Sequence, residues 1–417
     1  MERSLTLVLW IVVAGCASPL TMEQRAELVE AVDQAVRANG FDPSLIKDRW
    51  LERARALVDE PGSSWPQDQR LASTINECLG TVMSHAHLHG PKKAGAEPAD
   101  VLIPWVTTDD GVSVLEAVTN DRGETMTPGE LVLGHVDARA LRTATAGPDG
   151  QSVELRVRGV DGSERSLTWQ RSTEKNDAVT SKVLPDGTFY VRINSFTGFG
   201  PFDHGNARSI ESHLQAVRAG GHLIIDLRGN PGGGRSATDV STLFFTDVKT
   251  QALFVSRTDA SCDPRLVLEQ ARRVRAELSW WPWVTIRRLW AYLDVMDGEE
   301  SFAMQCEGKG TLEGLEIAVL IDEGTRSAAE ILAAFLQEEC GARLIGRRSA
   351  GECAMPVTID LPHGWSAHIP RCRIASGRGT LIEGRGLEPD VQVIHKRTDL
   401  ASGRDADLER ALAEVHR

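Results

Sequence analysis

The chain of 417 residues is long enough to bury substantial hydrophobic cores and to form two or three domains. Its hydrophobic fraction of 41% and charged fraction of 25% are ordinary for a globular protein, and its net charge of -13 argues against a nucleic-acid partner. No apolar run reaches the roughly 18 residues that an ordinary transmembrane helix needs.

The N-terminal residues resemble the signal peptide of a bacterial lipoprotein. A short apolar stretch over residues 5–13 leads into Val13-Ala14-Gly15-Cys16, which resembles a lipobox, whose cysteine is lipidated and becomes the new N-terminus. The charged region ahead of this stretch is weak, so an ordinary cleaved signal peptide is the alternative. We expect residues 1–15 to be removed and Cys16 to tether the mature chain to a membrane outside the cytoplasm, in the periplasm or at the cell surface.

The other six cysteines could form disulfides in such an oxidising compartment. Two pairs have a structural rationale: Cys262 with Cys306 would close an insertion, and Cys353 with Cys372 would flank a hairpin. The full set, whose pairing the sequence leaves open, is Cys78, Cys262, Cys306, Cys340, Cys353 and Cys372. No CxxC spacing occurs, so a structural zinc cluster has little support.

Helical patterns fill residues 16–90, and a β-rich module follows over about residues 100–173. The predicted helices run from Met22 to Asn39, from Pro43 to Asp59 and from Pro66 to Met83. In the module, apolar and polar residues alternate in Val112 to Val118 and in Val153 to Arg158, with turn residues between such runs.

Strands and helices alternate over residues 180–396, which predicts a largely parallel, layered α/β core, and a helix follows at 397–417. The predicted strands are Thr188 to Ile193, His222 to Leu227, Ala252 to Arg257 and Ile317 to Ile321, with helices at Asp203 to Ala219 and Arg235 to Phe245. Residues 259–312 interrupt this core and carry Trp280, Trp281, Trp283 and Trp290. The tryptophan cluster is either the insertion's own small core, a lid, a membrane-interface patch or a partner site.

A serine occupies a predicted strand-to-helix turn. The apolar strand stops at Asp322, a glycine gives a turn, and Ser327 opens a helix that runs to Glu339. A serine in such a turn is exposed beside the free amides of the helix start, and the amide of Ala328 is placed to stabilise an oxyanion. The alternative is that Thr325 or Ser327 simply caps the helix.

A second strand runs into three consecutive glycines, Gly232 to Gly234, before another helix. Glycines let backbone amides approach a ligand or a transition state closely. A phosphate-binding loop would need a Gly-Lys-Ser/Thr step or a Gly-x-Gly-x-x-Gly spacing, and neither is present. A plain tight turn is the other alternative.

Three motifs, in this order, resemble those of the C-terminal processing, or tail-specific, family of serine peptidases, including its tricorn-like branch. The pattern Asp-Leu-Arg-x-Asn-x-Gly-Gly matches Asp226 to Gly233, Thr-x-Ser-Ala-x-Glu matches Thr325 to Glu330, and Glu-Gly-x-Gly-x-x-Pro-Asp matches Glu383 to Asp390. The resemblance implies an α/β fold with a crotonase/ClpP-like layered protease core and no cofactor. It also implies that residues 100–173 form a divergent PDZ-like module, although they show no clear carboxylate-binding loop.

By this resemblance Ser327 is the nucleophile, and the amides of Ala328 and of Gly232 or Gly233 form the oxyanion hole. Many family members use a lysine in Thr-x-Gly-Lys as general base, but Glu352 holds that position here. No lysine lies between Ser327 and Lys396, and arginine cannot act as the base because it stays protonated.

The tricorn-like branch takes its base from a Ser-His pair that precedes the β-module. The matching residues are Ser84 and His85, and Glu383 of the closing motif would complete the tetrad. A neutral histidine accepts a hydroxyl proton near neutral pH, and a carboxylate or hydroxyl orients its ring. Glu352 is then a pocket residue or a salt-bridge partner of Arg347 or Arg348.

We therefore expect an extracytoplasmic, lipid-anchored serine endopeptidase that acts on unfolded or tail-exposed polypeptides, which the PDZ-like module would capture by strand addition. The first alternative is a catalytically inactive family member that serves as a peptide-binding scaffold. The second is a zinc-dependent hydrolase built on His85, His87 and His89, which alternate as strand residues do. The sequence makes no prediction of the oligomeric state.

Overall fold

The computed structural model describes residues 19–417 with internal gaps. The segments left out are residues 41–48, 60–61, 81–85, 91–97, 100–102, 104, 121, 135–140, 142–144, 146, 149–150, 172–177, 199–202, 218–219, 257–263 and 266–300. Several predicted features lie outside the described residues, namely Cys16, Ser84, His85, Cys262 and the four tryptophans of the insertion. No helix in the described part combines the length and the apolar composition needed to cross a membrane.

Three helices form the N-terminal part: α1 (Met22–Asn39), α2 (Arg49–Val58) and α3 (Trp65–Gly80). Leu28, Val32 and Val36 recur every four residues along α1 and are buried, since this spacing places them on one helix face. Thr21 caps α1 in a capping box: its hydroxyl accepts the amide hydrogen of Gln24, whose side chain accepts that of Thr21.

Among the described residues of the β-rich module there are nine short strands, five of which form an antiparallel sheet in the order β10-β9-β7-β4-β3. Leu155 and Leu167 pair across β9 and β10 and are buried, while their neighbours along each strand face outward. The strands are β2 (Pro98–Ala99), β3 (Trp105–Thr108), β4 (Gly111–Val114), β5 (Val118–Thr119), β6 (Thr125–Met126), β7 (Leu131–Val132), β8 (Gly147–Pro148), β9 (Ser152–Arg158) and β10 (Glu164–Gln170), which follow β1 (His87–His89).

The remaining chain forms two sheets with helices between and around them. Its strands are β11 (Val179–Val183), β12 (Phe189–Ile193), β13 (His222–Asp226), β14 (Val248–Ser256), β15 (Phe302–Glu307), β16 (Glu316–Ile321), β17 (Arg343–Gly346), β18 (Ala354–Asp360), β19 (Ser366–Ser376) and β20 (Val391–Gln392). Its helices are α4 (Ala207–Leu214), α5 (Ser236–Ser241, continued by a 3₁₀ turn at Thr242–Phe244), α6 (Ala328–Cys340), α7 (Arg397–Ala401) and α8 (Ala406–Val415), with a further 3₁₀ turn at Pro362–Gly364.

The first sheet has the order β11-β12-β13-β16-β17-β20 and is parallel except for β11. The second is antiparallel, with β1, β14 and β18 all paired to β19, and β15 paired to β14. The α/β protease fold that the sequence predicts is confirmed. The strand β15 falls inside residues 259–312, which the sequence analysis assigned to the insertion, and it pairs instead with a core strand.

Alternating side chains of the central strand β16 explain the layering. Ile317, Val319 and Ile321 pack with α6 on one face, while Ala318 and Leu320 pack with α8 on the other. Helix α6 also contacts β14 and β19 of the second sheet, and the N-terminal helices share a hydrophobic cluster with the outer face of that sheet. The nucleophile candidate at the start of α6 is therefore held between the two sheets.

The proposed pairing of Cys353 with Cys372 is wrong, because both thiols are free and buried. The predicted hairpin does form, as β18 and β19, but its register places Met355 rather than Cys353 opposite Cys372. The thiol of Cys306 is also free. Burial raises the pKa of Cys372 to about 12.

Candidate active site

Ser327 lies in the turn between β16 and α6, and this turn is tied to the glycine-rich turn after β13. The buried hydroxyl of Thr325 donates to the carbonyl of Leu227 at 2.9 Å and accepts the amide hydrogen of Asp322 at 3.0 Å. The carboxylate of Asp322 in turn accepts the amide hydrogen of Gly229 at 2.8 Å. These bonds explain why the two sequence motifs, far apart along the chain, come together at one edge of the parallel sheet.

The backbone of Ser327 is strained. Its φ of 50° and ψ of -120° lie outside the regions that residues with a side chain prefer, and among the described non-glycine residues only His363 shares a positive φ. The amide of Ser327 donates to the carbonyl of Glu352 and to Oε2 of Glu330, both at 3.0 Å. A strained serine between a strand and a helix is the geometry of a nucleophile elbow.

Gly232 packs directly against this elbow. A Cβ atom on Gly232 would lie 2.7 Å from the Cβ of Ser327 and 2.9 Å from the amide nitrogen of Ala328. Gly232 also has a φ of 87°, so both space and backbone conformation require glycine here. The glycine-rich turn is thus built for close backbone approach to the serine.

The hydrogen bonds of this turn distinguish the amides of Gly232 and Gly233, the two glycines considered for the oxyanion hole. The amide of Gly232 already donates to Oδ1 of Asn230 at 2.8 Å, whereas the amides of Gly233 and Ala328 donate to no acceptor in the described part of the chain. Gly233 lies beside Phe196, whose amide and carbonyl bond to the residues on either side of it. The oxyanion-hole candidates are therefore Gly233 and Ala328, with Gly232 as the residue that allows close approach.

Glu383 of the closing motif is buried in the layer of loops behind Ser327. Its Oε2 accepts the amide hydrogen of Cys353 at 2.7 Å, and the Cys353 thiol contacts the carbonyl of Ser327 at 3.6 Å. Only Cys353 therefore separates the glutamate from the backbone of the serine.

Glu352 stands where the motif resemblance places the lysine of many family members. Its carboxylate forms an ion pair with Arg326 at 3.1 Å and is almost fully buried. Of the two roles that the sequence left open for Glu352, the salt bridge to Arg347 or Arg348 is not formed, because these arginines pair with Asp407 and Glu388 instead. The residue just before the nucleophile thus provides the neutralising cation.

A buried charge network supports the glycine-rich turn from the side opposite to Ser327. Arg228 pairs with Asp226 at 2.7 Å, with Asp405 at 2.8 Å and with Asp407 at 3.1 Å, and His395 also contacts Asp407 at 2.7 Å. Burial alone would raise the pKa of Asp226, but the charges of Arg228 and Arg192 and the hydrogen bonds from Arg228 and Tyr190 together lower this pKa to about 2. The sequence motif contains Asp226 and Arg228, but nothing in the sequence indicated their partners at the start of α8.

The general-base candidate His85 and its neighbour Ser84 lie outside the described residues, as noted, so their roles and the three-histidine hypothesis stay predictions. Among the described residues, one group of metal-ligand type comes together, formed by His395, Asp405 and Asp407. Arg228 pairs with both of these carboxylates and Arg347 pairs with Asp407, so the group is part of a salt-bridge network.

Known proteins are similar to this chain in sequence and in fold. The family model described as Peptidase family S41 matches residues 187–393. The chain is 25% identical over 284 residues to carboxyl-terminal-processing peptidase 3, chloroplastic, of Arabidopsis thaliana, a match covering 62% of this chain and 44% of that protein. It is 23% identical over 376 residues to the C-terminal processing peptidase, chloroplastic, of Tetradesmus obliquus, covering 82% of this chain and 67% of that protein.

Solved structures agree on the fold at low sequence identity. The photosystem II D1 C-terminal processing protease matches with a TM-score of 0.51 and 18% identity, over 94% of this chain and 97% of that one. Mature CPAF complexed with lactacystin matches with a TM-score of 0.62 and 14% identity, over 94% of this chain and 98% of that one. The three motifs, the elbow geometry and these matches agree: the chain belongs to peptidase family S41, the C-terminal processing peptidases.

Proposed function

We propose that the chain is a serine endopeptidase in which Ser327 is the nucleophile and His85 the general base, with Ser84 and Glu383 as supporting residues. The observation that carries this proposal is the strained Ser327 packed against the glycine-rich turn, together with the amides of Ala328 and Gly233, which have no acceptor in the described part of the chain. Such an arrangement supplies a reactive hydroxyl and two donors for an oxyanion.

The reaction would proceed in two stages. The Oγ of Ser327 attacks the carbonyl carbon of the scissile bond while His85 takes its proton, and the amides of Ala328 and Gly233 stabilise the oxyanion. His85 then gives the proton to the leaving amine, and the C–N bond breaks. Water, deprotonated by His85, then attacks the acyl carbon. The bond between this carbon and Oγ breaks, and His85 returns the proton to Oγ, which releases the second product and regenerates Ser327.

Three observations support histidine over lysine as the base. Glu352 occupies the lysine position and is already paired with Arg326. The chain that follows His85 is anchored to the peptidase core, since Ala86 is buried and β1 pairs with β19. Glu383 is buried within one residue's width of the Ser327 backbone, where a carboxylate could orient an imidazole.

We further propose that the substrates are unfolded or tail-exposed polypeptides. The two proteins named above are processing peptidases. In the β-rich module, β3 and β10 are the outer strands of the described five-stranded sheet, and a PDZ-like module binds an extended peptide by adding it to a sheet edge.

Extracytoplasmic location through a lipid on Cys16 is part of the same proposal. Its support is the lipobox-like Val13-Ala14-Gly15-Cys16. Metabolic labelling of the full chain with a fatty-acid analogue should modify the wild type and leave Cys16→Ser unlabelled. Equal labelling of the two would refute the anchor.

The deciding experiment is cleavage of a permanently unfolded protein by the wild type, Ser327→Ala and His85→Ala. His204→Ala is a matched control, because His204 is an exposed surface histidine paired with Asp239 at 2.8 Å. We expect the first two variants to lose activity by at least about 10³-fold and the control to retain it. Full activity in His85→Ala would refute the assignment of the base.

Labelling by a fluorophosphonate probe tests the nucleophile separately from turnover. Wild-type labelling that disappears in Ser327→Ala supports an activated serine. A chain that neither cleaves nor reacts with the probe would refute the peptidase proposal in favour of a peptide-binding family member. Activity that persists in Ser327→Ala and is lost with a chelator would indicate the zinc-dependent alternative instead.

A further inference from the structure

A buried carboxylate, that of Glu330, connects the nucleophile to the loops behind it. Its Oε2 accepts the amide hydrogen of Ser327 at 3.0 Å. Its Oε1 accepts the hydroxyl hydrogen of Ser349 at 2.6 Å and the amide hydrogen of Gly351 at 2.8 Å. The residue has no solvent exposure, so these three donors replace the water that an ionised carboxylate would otherwise bind.

The partners of Glu330 belong to two other segments of the site. The hydroxyl of Ser349 also accepts the amide hydrogen of Leu387 at 2.6 Å, which lies in the closing motif. The carbonyl of Gly351 accepts the amide hydrogen of Gly384 at 2.8 Å, next to Glu383. One side chain therefore joins the elbow, the loop that carries Glu352 and the segment that carries Glu383.

We propose that Glu330 is a positioning residue, which holds Ser327 in its strained conformation and so keeps Oγ and the Ala328 amide aligned. The proposal rests on the peptidase function proposed above. A positive φ at a serine persists only where the surroundings over-determine it. Here the Ser327 amide donates to two acceptors, the carboxylate of Glu330 and the carbonyl of Glu352. The Glu330 side chain is also hydrogen-bonded to Ser349 and Gly351 in the neighbouring loop.

The ionisation of Glu330 should make this role depend on pH. The pKa of Glu330 is raised to about 7, mainly by burial and to a smaller degree by the nearby charge of Glu383. The hydrogen bonds from Ser349, Gly351 and Ser327 act in the opposite direction and limit this rise. Among the described residues the buried Cys353 thiol also faces Glu330, and burial raises the pKa of this thiol well above its ordinary value. The Arg326–Glu352 ion pair adjoins Ser327. Above about pH 7 the carboxylate accepts all three donors, and below it a proton occupies one of its accepting positions.

The chain contains a matched control on the same helix. Glu338 is a partly buried carboxylate near the end of α6 that accepts the hydroxyl hydrogen of Ser376 at 2.5 Å, and this hydroxyl accepts the amide hydrogen of Thr380 at 3.0 Å. Glu338 and Ser376 thus repeat the Glu330–Ser349–Leu387 arrangement away from the nucleophile. Variants at the two sites remove equivalent bonds, and only one site adjoins Ser327.

The experiment measures kcat and KM against pH on the unfolded substrate for the wild type, Glu330→Gln, Ser349→Ala, Glu338→Gln and Ser376→Ala. Glutamine offers one acceptor oxygen and turns an N–H toward a donor, so kcat of Glu330→Gln should fall about 10- to 100-fold with little change in KM. Loss of the Ser349 hydroxyl removes a bond that lowers the pKa of Glu330, so the acid limb of the Ser349→Ala profile should move to higher pH. The two control variants should match the wild type.

If Glu330→Gln does not fold, Ser349→Ala alone decides. The positioning role would be overturned if Ser349→Ala had wild-type activity and its pH profile had the same acid limb as that of Ser376→Ala. The proposed peptidase function would not be affected by that result. A folded Glu330→Gln with wild-type kcat would also overturn the positioning role alone. A wild-type chain without cleavage or probe labelling would overturn the proposed function, and the positioning role with it.

Discussion

Replacement of Gly232 by alanine tests whether close backbone approach to Ser327 is essential. The new Cβ would lie 2.7 Å from the Cβ of Ser327 and 2.6 Å from the carbonyl oxygen of Arg326. Because carbon atoms in contact normally lie about 3.5–4.0 Å apart, the elbow must move by about 1 Å. A displacement of that size at a reacting group costs about 10²-fold in rate.

Gly187→Ala is the matched control for backbone strain. Gly187 has a φ of 89°, against 87° at Gly232, but a Cβ there would meet nothing within 4 Å. Both substitutions bear the cost of a left-handed conformation, about 1–2 kcal/mol. Only Gly232→Ala adds the overlap, which should lower the free energy of unfolding by a further 1–3 kcal/mol or so, as overpacked cores do.

Urea unfolding and kcat/KM on an unfolded substrate would be measured for both variants. We expect Gly187→Ala to keep wild-type kcat/KM and Gly232→Ala to lose about 10²-fold while remaining folded. If both variants kept the same kcat/KM, the contact between Gly232 and the elbow would have no catalytic importance.

Two further predictions concern the buried charges and thiols. Arg228→Met removes the buried cation that pairs with Asp226 and Asp405, while Asp407 keeps its pair with Arg347, so the free energy of unfolding at neutral pH should fall by about 3–5 kcal/mol. Because the pKa of Asp226 is lowered to about 2, its ion pair stabilises the fold fully above its ordinary pKa of 3.8, and this stabilisation is lost as the pH falls toward 2. Urea titrations should therefore show the difference in free energy of unfolding between wild type and Arg228→Met becoming smaller over this pH range. A difference that does not change with pH would contradict the assignment. In the folded chain Cys353 and Cys372 should react with an aromatic disulfide reagent at least about 100-fold more slowly than after unfolding, because both thiols are buried and their pKa values are raised. Rapid labelling of either thiol in the folded chain would contradict this prediction. A disulfide between them, found by non-reducing peptide mapping, would contradict it as well.

Local sequence was sufficient for the elements that carry the site. An apolar run broken by Asp322, Gly324 and Ser327 specifies a strand, a turn and a helix wherever it occurs, since the pattern depends on neighbouring residues alone. The same holds for the strand that precedes Gly232 to Gly234. The resemblance of the three motifs to those of a known family was also enough to predict the family, which is confirmed.

The partners of the charged residues depended on the tertiary structure. Glu352 pairs with Arg326, from the turn before α6, and Arg228 pairs with Asp405 and Asp407, from the start of α8. Ion pairs form between side chains that folding brings close, and many arginines in this sequence were equally plausible partners. The sequence therefore left the role of Glu352 open, with Arg347 and Arg348 as candidate partners, and the fold pairs Glu352 with Arg326.

Strand pairing and amide direction were likewise decided by the tertiary structure. Strands β14 and β15 pair although they are far apart in the sequence. The register of β18 with β19 places Met355 opposite Cys372, so Cys353 and Cys372 do not face each other. Both glycines satisfied the sequence motif, but only the folded turn shows that the Gly232 amide is bound to Asn230 while that of Gly233 is not. Sequence determines which local conformations are favourable, whereas hydrogen-bond partners and registers follow from how distant segments pack.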